Sequence, residues 1–168
     1  MSPVRSRDRE GKRSKRVVAV SGGFDPLHRG HIALFKASKR LGDELVVILN
    51  NDHWLRSKKG APFMSERDRA AVLKGLRFVD RVMLSFHGPD PRDMSVSQEL
   101  QELRPDIFAN GGDRTMSTIP EKDICRRLGI TLVFNVGGGK VQSSSGLLSR
   151  YAQKTNHPRG RADTGMRG

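Results

Sequence analysis

Short apolar runs alternate with amphipathic stretches along most of this chain. Val17 to Val20 form a run of four that stops at Ser21-Gly22-Gly23, as a buried parallel strand does where it meets a turn. From His31 onward Ile32, Leu34, Phe35 and Ala37 recur at helical spacing and predict a helix ending near Leu41-Gly42. Lys36, Lys39 and Arg40 gather toward its end, where the helix dipole favours cations. The run "ELVVILN" is the next strand, closed by Asn50-Asn51-Asp52. Together these make one βαβ unit, which requires parallel pairing and a right-handed crossover.

The alternation then continues. A polar loop, "DHWLRSKKGAPF", leads to Ser65-Glu66-Arg67-Asp68, which has capping-box spacing with Asp in place of the usual Glu. The helix opened there carries Ala70, Ala71, Val72, Leu73 and Leu76 and ends before Val79. After it come strand "RVMLS", a loop with two prolines, helix "VSQELQELR", strand "DIFAN", a Gly-Gly-Asp loop, helix "PEKDICRRLG" and strand "ITLVFNV". A last loop, "GGGKVQSSS", precedes a short helix from Gly146 to about Tyr151. Five strands separated by helices predict an α/β domain: a three-layer, Rossmann-like, doubly wound parallel sheet. The domain is expected to span residues 17–151, with no internal repeat and no room for a second one.

Charge changes this picture only at the ends. The net charge of +13 is a nucleic-acid signal until it is divided along the chain. Residues 1–16 hold seven Lys/Arg against two acids, and residues 150–168 hold five against one, so the middle keeps a small excess. Both ends lack apolar periodicity and predict flexible basic tails, at 1–16 and 152–168, that bury too little to offset the entropy of ordering. Contact with RNA, DNA or an acidic membrane surface is one use for them; solvation is the more ordinary one. Aromatic residues make up 5% of the chain, so stacking platforms for single strands are sparse. No apolar stretch suits a secretory signal or a membrane span, which predicts a soluble, cytoplasmic protein. A single cysteine, Cys125, rules out an internal disulfide and a cysteine-based zinc cluster.

In open parallel sheets, ligands bind beyond the carboxyl ends of the strands. The unusual loops all fall there. The first reads G-G-F-D-P-L-H-R-G-H, so Gly22 and Gly23 permit a sharp turn and close backbone approach, and the following helix offers its free N–H groups to an anion. His28 and His31 lie three residues apart on one side of that helix start, able to donate to phosphate oxygens. As alternatives they form a partial metal site, which lacks nearby cysteines and spaced acids, or simply cap and pack. Lys58 and Lys59 are either an exposed pair or mobile charges over a triphosphate. Ser143, Ser144 and Ser145 open the last helix as caps or as a second anion cradle. In Gly111-Gly112-Asp113-Arg114 the two charges suit a substrate hydroxyl and a phosphate, or a salt-bridged turn. No nucleophile motif and no paired carboxylates stand out, which points to phosphoryl or nucleotidyl transfer, where the protein supplies position and charge.

From Val17 to Tyr151 these residues resemble the nucleotidyltransferase superfamily marked by a His-x-Gly-His motif, here His28-Arg29-Gly30-His31. "SERDRAAVLKGLRFVDRV", "RPDIFANGGD" and "VQSSSGLL" are similar to further motifs of its heptose 1-phosphate adenylyltransferases and, in part, of its glycerol-3-phosphate cytidylyltransferases. The resemblance implies direct attack by a substrate phosphate on the α-phosphorus of ATP or CTP, with Mg²⁺ bridging the phosphates and pyrophosphate leaving. It implies that His28 and His31 steady the phosphates, that Gly22, Gly23, Phe24, Asp25 and Gly30 meet the nucleotide, and that Lys58 or Lys59 covers the triphosphate. It places Ser143 to Ser145 at the leaving phosphates, assigns Asn50, Asp52 and Gly111 to Arg114 to the second substrate, and carries the expectation of a homodimer. Two departures stand out: Asn110 replaces the lysine usual before Gly-Gly-Asp in the heptose enzymes, and Lys140 stands near the place of an arginine in the cytidylyltransferases. The Gly-Gly-Asp loop and "LNND" favour ATP and a small phosphorylated sugar or polyol over CTP.

Overall fold

The computed structural model describes residues 14–139 and 142–156. Its elements run β1 (Val17–Gly22), α1 (Arg29–Lys39), β2 (Glu44–Leu49), α2 (Asp52–Lys59), α3 (Glu66–Lys74) and β3 (Arg81–Leu84), followed by α4 (Ser97–Leu103), β4 (Ile107–Ala109), α5 (Lys122–Leu128), β5 (Thr131–Val133) and α6 (Ser144–Thr155). The strands form one parallel sheet in the order β3-β2-β1-β4-β5. The chain winds outward through β2 to β3, then returns to the other side of β1 for β4, so the sheet has a switch point between β1 and β4. That is where a doubly wound sheet opens a crevice.

Alternation along the strands builds two cores. Val18 and Val20 of β1 with Leu45, Val47 and Leu49 of β2 pack with Phe35 of α1 and Leu73 of α3 on one face. Ala19, Ile48 and Phe108 meet Leu100 of α4 and Ile124 and Cys125 of α5 on the other. Leu45 to Leu49 are fully buried, so β2 reads as a continuous apolar run because it is covered on both faces. At the amino ends of the strands aspartates take the free backbone N–H groups: Asp106 Oδ2 accepts from Val17 N at 2.7 Å, and Asp80 Oδ2 from Leu45 N at 2.7 Å. The carboxyl ends are left to the loops.

Three segments differ from expectation. The polar stretch after β2 folds as α2, because Asn51 caps it by accepting from Trp54 N at 3.0 Å and Leu55 is buried beneath it; Gly60, at φ 86°, ends it. The last strand stops at Val133 because Asn135 turns the backbone left-handed, at φ 54°. Helix α6 starts two residues early, where Ser143 Oγ accepts from Gly146 N at 3.0 Å, and continues through residues 152–155. Of the other residues assigned to basic tails, Arg16 is tied to the start of β2, its carbonyl accepting from Asp43 N at 2.8 Å, and 1–13 and 157–168 lie outside the described residues. Among those described, no helix is long and apolar enough to cross a membrane.

Candidate active site

The loop after β1 is shaped by contacts that leave no room for ordinary side chains. A Cβ on Gly22 would stand 2.9 Å from the Phe24 ring, and one on Gly23 would stand 3.0 Å from Leu55. Phe24 turns back at φ 49° and is buried, its ring edge-on to His31 at 4.9 Å and to Phe35 at 5.1 Å between centroids. Asp25 is 1% exposed, and its two oxygens accept from Phe63 N at 2.6 Å and Met64 N at 2.7 Å. It therefore ties this loop to the α2–α3 connection.

His28 and His31 close a reciprocal cap at the start of α1. His28 Nδ1 accepts from Gly30 N at 3.1 Å, and His31 Nδ1 accepts from His28 N at 3.2 Å. An imidazole nitrogen that accepts carries no proton, so in both neutral rings the hydrogen sits on Nε2. The rings stack at 3.7 Å. Desolvation lowers the pKa of His28, and it pushes His31 down from the ordinary 6.5 to about 3, assisted by the nearby charges of His28 and Lys59. Two neutral donors, held by the backbone, result. Because His31 protonates far more readily in the unfolded chain than in the folded one, its contribution to stability is complete above 6.5 and is lost as pH falls toward about 3. In an NMR titration the His31 ring resonances are accordingly expected to stay at neutral-imidazole positions from about pH 8 to 5. A midpoint near 6.5 would contradict the burial that sets this shift.

Both histidines line a cavity of about 350 Å³ at the switch point. It brings together Gly22, Gly23, Phe24 and Gly30 from the first loop, Lys59 from the end of α2, and Gly111, Gly112, Asp113 and Arg114 from the loop after β4. Ser143, Ser144 and Ser145 enter from the start of α6, where Ser144 Oγ donates to Pro26 O at 2.8 Å and so docks that helix on the histidine loop. Lys140, the residue weighed against a cytidylyltransferase arginine, lies outside the described residues.

Four residues expected at the site do not line this cavity. Asp25 is turned inward as described. Asn50 is 4% exposed; its carbonyl accepts from Arg69 Nη1 at 2.7 Å, and its side-chain oxygen has no partner. Asp52 pairs with Arg69 Nη2 at 2.6 Å. Lys58 sits on an exposed part of α2, and helical spacing gives only its neighbour Lys59 to the cavity.

Sequence reasoning passed over Leu34 and Val136, which wall the cavity, and Arg69, which does not line it but holds the carbonyl of Gly23, which does. Arg69 is 1% exposed and donates to Gly23 O at 2.8 Å, Asn50 O at 2.7 Å and Met64 O at 3.1 Å besides its ion pair. The only hint was an arginine on the apolar side of a helix. Taken together, the lining is rich in N–H and O–H donors and contains one carboxylate, that of Asp113, among the described residues. Neither histidine Nδ1 activates a hydroxyl, since each is taken by a backbone N–H. The arrangement suits holding a polyanion and absorbing charge that develops on it.

A family model described as cytidylyltransferase-like matches residues 19–132. A FAD synthase from Pyrococcus abyssi is 39% identical, over 71% of this chain and 78% of its own length. A D-beta-D-heptose 1-phosphate adenylyltransferase from Bordetella bronchiseptica is 38% identical, over 71% of this chain and 72% of its own. A bifunctional protein HldE from Syntrophotalea carbinolica is 37% identical over 86% of this chain, which spans only 29% of that longer protein. Among solved structures, a lipopolysaccharide core biosynthesis protein from Thermoplasma volcanium superposes with a TM-score of 0.58 at 32% identity, over 77% of this chain and 99% of its own.

Proposed function

The chain belongs to the cytidylyltransferase-like family, and on that premise we propose that it transfers AMP from ATP to a small phosphorylated sugar or polyol, releasing pyrophosphate. The observation that carries this reading is the pair of backbone-fixed Nε2–H imidazoles facing a donor-rich cavity at a helix start. An acceptor phosphate oxygen attacks the α-phosphorus; that P–O bond forms as the bond to the departing pyrophosphate breaks. Charge moves onto the non-bridging and leaving oxygens, and His28 and His31 donate to them without having to lose a proton of their own. The free N–H groups of α1 and α6 and the ammonium of Lys59 add fixed positive potential. The choice of adenine follows the Gly-Gly-Asp loop and the adenylyl chemistry named for the heptose relative.

Mg²⁺ is part of the proposal. Among the described residues no three His, Cys, Asp or Glu side chains group to hold a metal, and Asp113 is the one carboxylate the lining offers. This fits an ion that keeps phosphate oxygens and water as its main ligands. So bound, it would neutralise charge on the triphosphate.

The test is pyrophosphate release with Mg²⁺, pairing ATP or CTP with a panel of sugar 1-phosphates, glycerol 3-phosphate and other small phosphates. Turnover with ATP and one acceptor is the expected result. Turnover with CTP alone would overturn the choice of base. No turnover, joined to no calorimetric binding of either nucleotide, would overturn the transferase reading.

A further inference from the structure

Two polar residues that close the sheet at its carboxyl edge fall on one face. Along β1, Val18 and Val20 belong to the first core and Ala19 to the second, so alternation puts Ser21 on the side of the second core. Along β4, Ile107 and Ala109 belong to the first core and Phe108 to the second, which puts Asn110 on that same side. Asn110 is still held in the sheet, its N–H donating to Val133 O at 2.7 Å. The strands pair Val18 with Ile107 and Ala19 with Phe108, and two further steps of this register bring Ser21 beside Asn110. Both residues line the cavity that holds the histidines.

Their polar atoms are open to a ligand. Asn110 is 3% exposed, and its Nδ2 donates to Phe108 O at 3.3 Å. Because a carbonyl only accepts, the carboxamide cannot turn over without setting two oxygens against each other. Oδ1 is therefore the atom left over, and among the described residues nothing donates to it. The Ser21 hydroxyl likewise has no partner among them. Polar side-chain atoms that are both unpartnered and sealed from solvent are Ser38 Oγ, Asn50 Oδ1, Glu99 Oε2 and Glu121 Oε2. Ser21 Oγ and Asn110 Oδ1 differ from these in keeping open surface, and the cavity is the space their residues line. A polar atom that the protein leaves unpaired at a cavity wall favours a ligand that supplies the partner.

The chemistry of that partner follows from the atoms. Oδ1 of Asn110 only accepts, so the ligand brings an O–H or N–H, and an oxygen of a phosphate or carboxylate anion is disfavoured there. Ser21 Oγ both donates and accepts, so the neighbouring pair suits adjacent hydroxyls. Placement narrows the ligand further. Helix α1 covers the first-core face through Phe35, and its start carries His28 and His31, with α6 docked on the same loop, so the phosphate donors gather on that side. Ser21 and Asn110 stand on the other side of the sheet edge. An in-line displacement sets the attacking oxygen opposite the departing one, so the acceptor approaches from the side away from the pyrophosphate. We propose that Ser21 and Asn110 read the hydroxyls of the acceptor, with Asn110 Oδ1 accepting from one and Ser21 Oγ pairing with its neighbour. That the ligand is the acceptor rests on the transferase reading; that the pair binds hydroxyls does not.

The experiment is a resonance titration of the full chain that follows the Asn110 side-chain amide and the Ser21 backbone amide. The probes are ribose 5-phosphate, glucose 1-phosphate and glycerol 3-phosphate, with inorganic phosphate and ATP as references. At least one hydroxylated phosphate is expected to move both signals, and inorganic phosphate is expected to move only the Gly30 and Ser145 region. Ser21→Ala should weaken that ligand about tenfold, and Ser21→Thr, which keeps a hydroxyl, should restore most of the affinity. Since Ser21 Oγ holds nothing in the protein, Ser21→Ala should melt with the parent and bind ATP as the parent does. Asn110→Leu fills the volume but accepts nothing and should weaken the same ligand; if it does not fold, the two Ser21 variants carry the test. An Asn110 signal unmoved by every hydroxylated phosphate, or equal affinity in Ser21→Ala and the parent, would overturn the proposal. So would loss of ATP affinity in Ser21→Ala, which would give the pair to the nucleotide. Hydroxylated phosphates binding at Asn110 without nucleotide binding or pyrophosphate release would leave a hydroxyl-reading site standing and sink only the transferase reading.

Discussion

His28→Asn is expected to lower kcat about a hundredfold to a thousandfold while leaving the melting temperature almost unchanged. The two effects separate because the His28 ring has two jobs on two nitrogens. Its Nδ1 caps α1 by accepting from Gly30 N, and asparagine is among the best residues for such a cap. Its Nε2–H is the donor assigned to the phosphates, and the shorter asparagine side chain cannot reach as far. Steady-state kinetics should show the loss mainly in kcat, since charge on the phosphate oxygens grows as the transition state is approached. A variant as active as the parent would reduce His28 to a helix cap. A variant that is inactive but also melts far lower would leave the two jobs entangled, and His28→Ala, which removes the cap as well, measures how much of that loss is folding.

Arg69→Met is expected to destabilise the fold by about 3–5 kcal/mol, the usual consequence of removing one partner of a buried charge pair. Methionine fills much of the volume but donates nothing. Asp52 would keep its charge with its guanidinium gone, and the carbonyls of Gly23, Asn50 and Met64 would each lose a donor. Arg69→Lys is expected to recover little, because one ammonium cannot serve acceptors spread over three segments as the planar fork does. Urea unfolding of the two variants measures this directly. A loss under about 1 kcal/mol for Arg69→Met would mean that the loops hold their positions without it.

The alternation of buried strands and amphipathic helices was legible in the sequence because the central β runs are covered on both faces and carry little polar interruption; β2, with Leu45 to Leu49 fully buried, is the clearest case, whereas the edge strand β3 is exposed at Arg81 and Leu84. The two histidines were legible for a different reason: three-residue spacing after a Gly-Gly turn leaves little choice of direction. What escaped was whatever depends on partners distant in sequence. Helix α2 is polar along its length and shows no strong period, so its cap at Asn51 was readable only as part of a loop. Asp25 and Asp52 look like active-site acids in a motif, yet one binds the backbone near Phe63 and the other pairs with Arg69, 17 residues away. Glu99 gives no sign in the pattern of α4 that it faces inward.

The chain's one cysteine is wholly buried on the core face of α5, and desolvation together with Glu121 pushes its thiol up to about 11. Near neutral pH it is neither accessible nor ionised. A cysteine introduced on the surface would then be the single alkylatable position in an otherwise unaltered chain. Gly88 suits this, since a Cβ there meets nothing within 4 Å. A fluorophore coupled at Gly88→Cys would report motion of the loop after β3 in real time, with no native thiol to remove first.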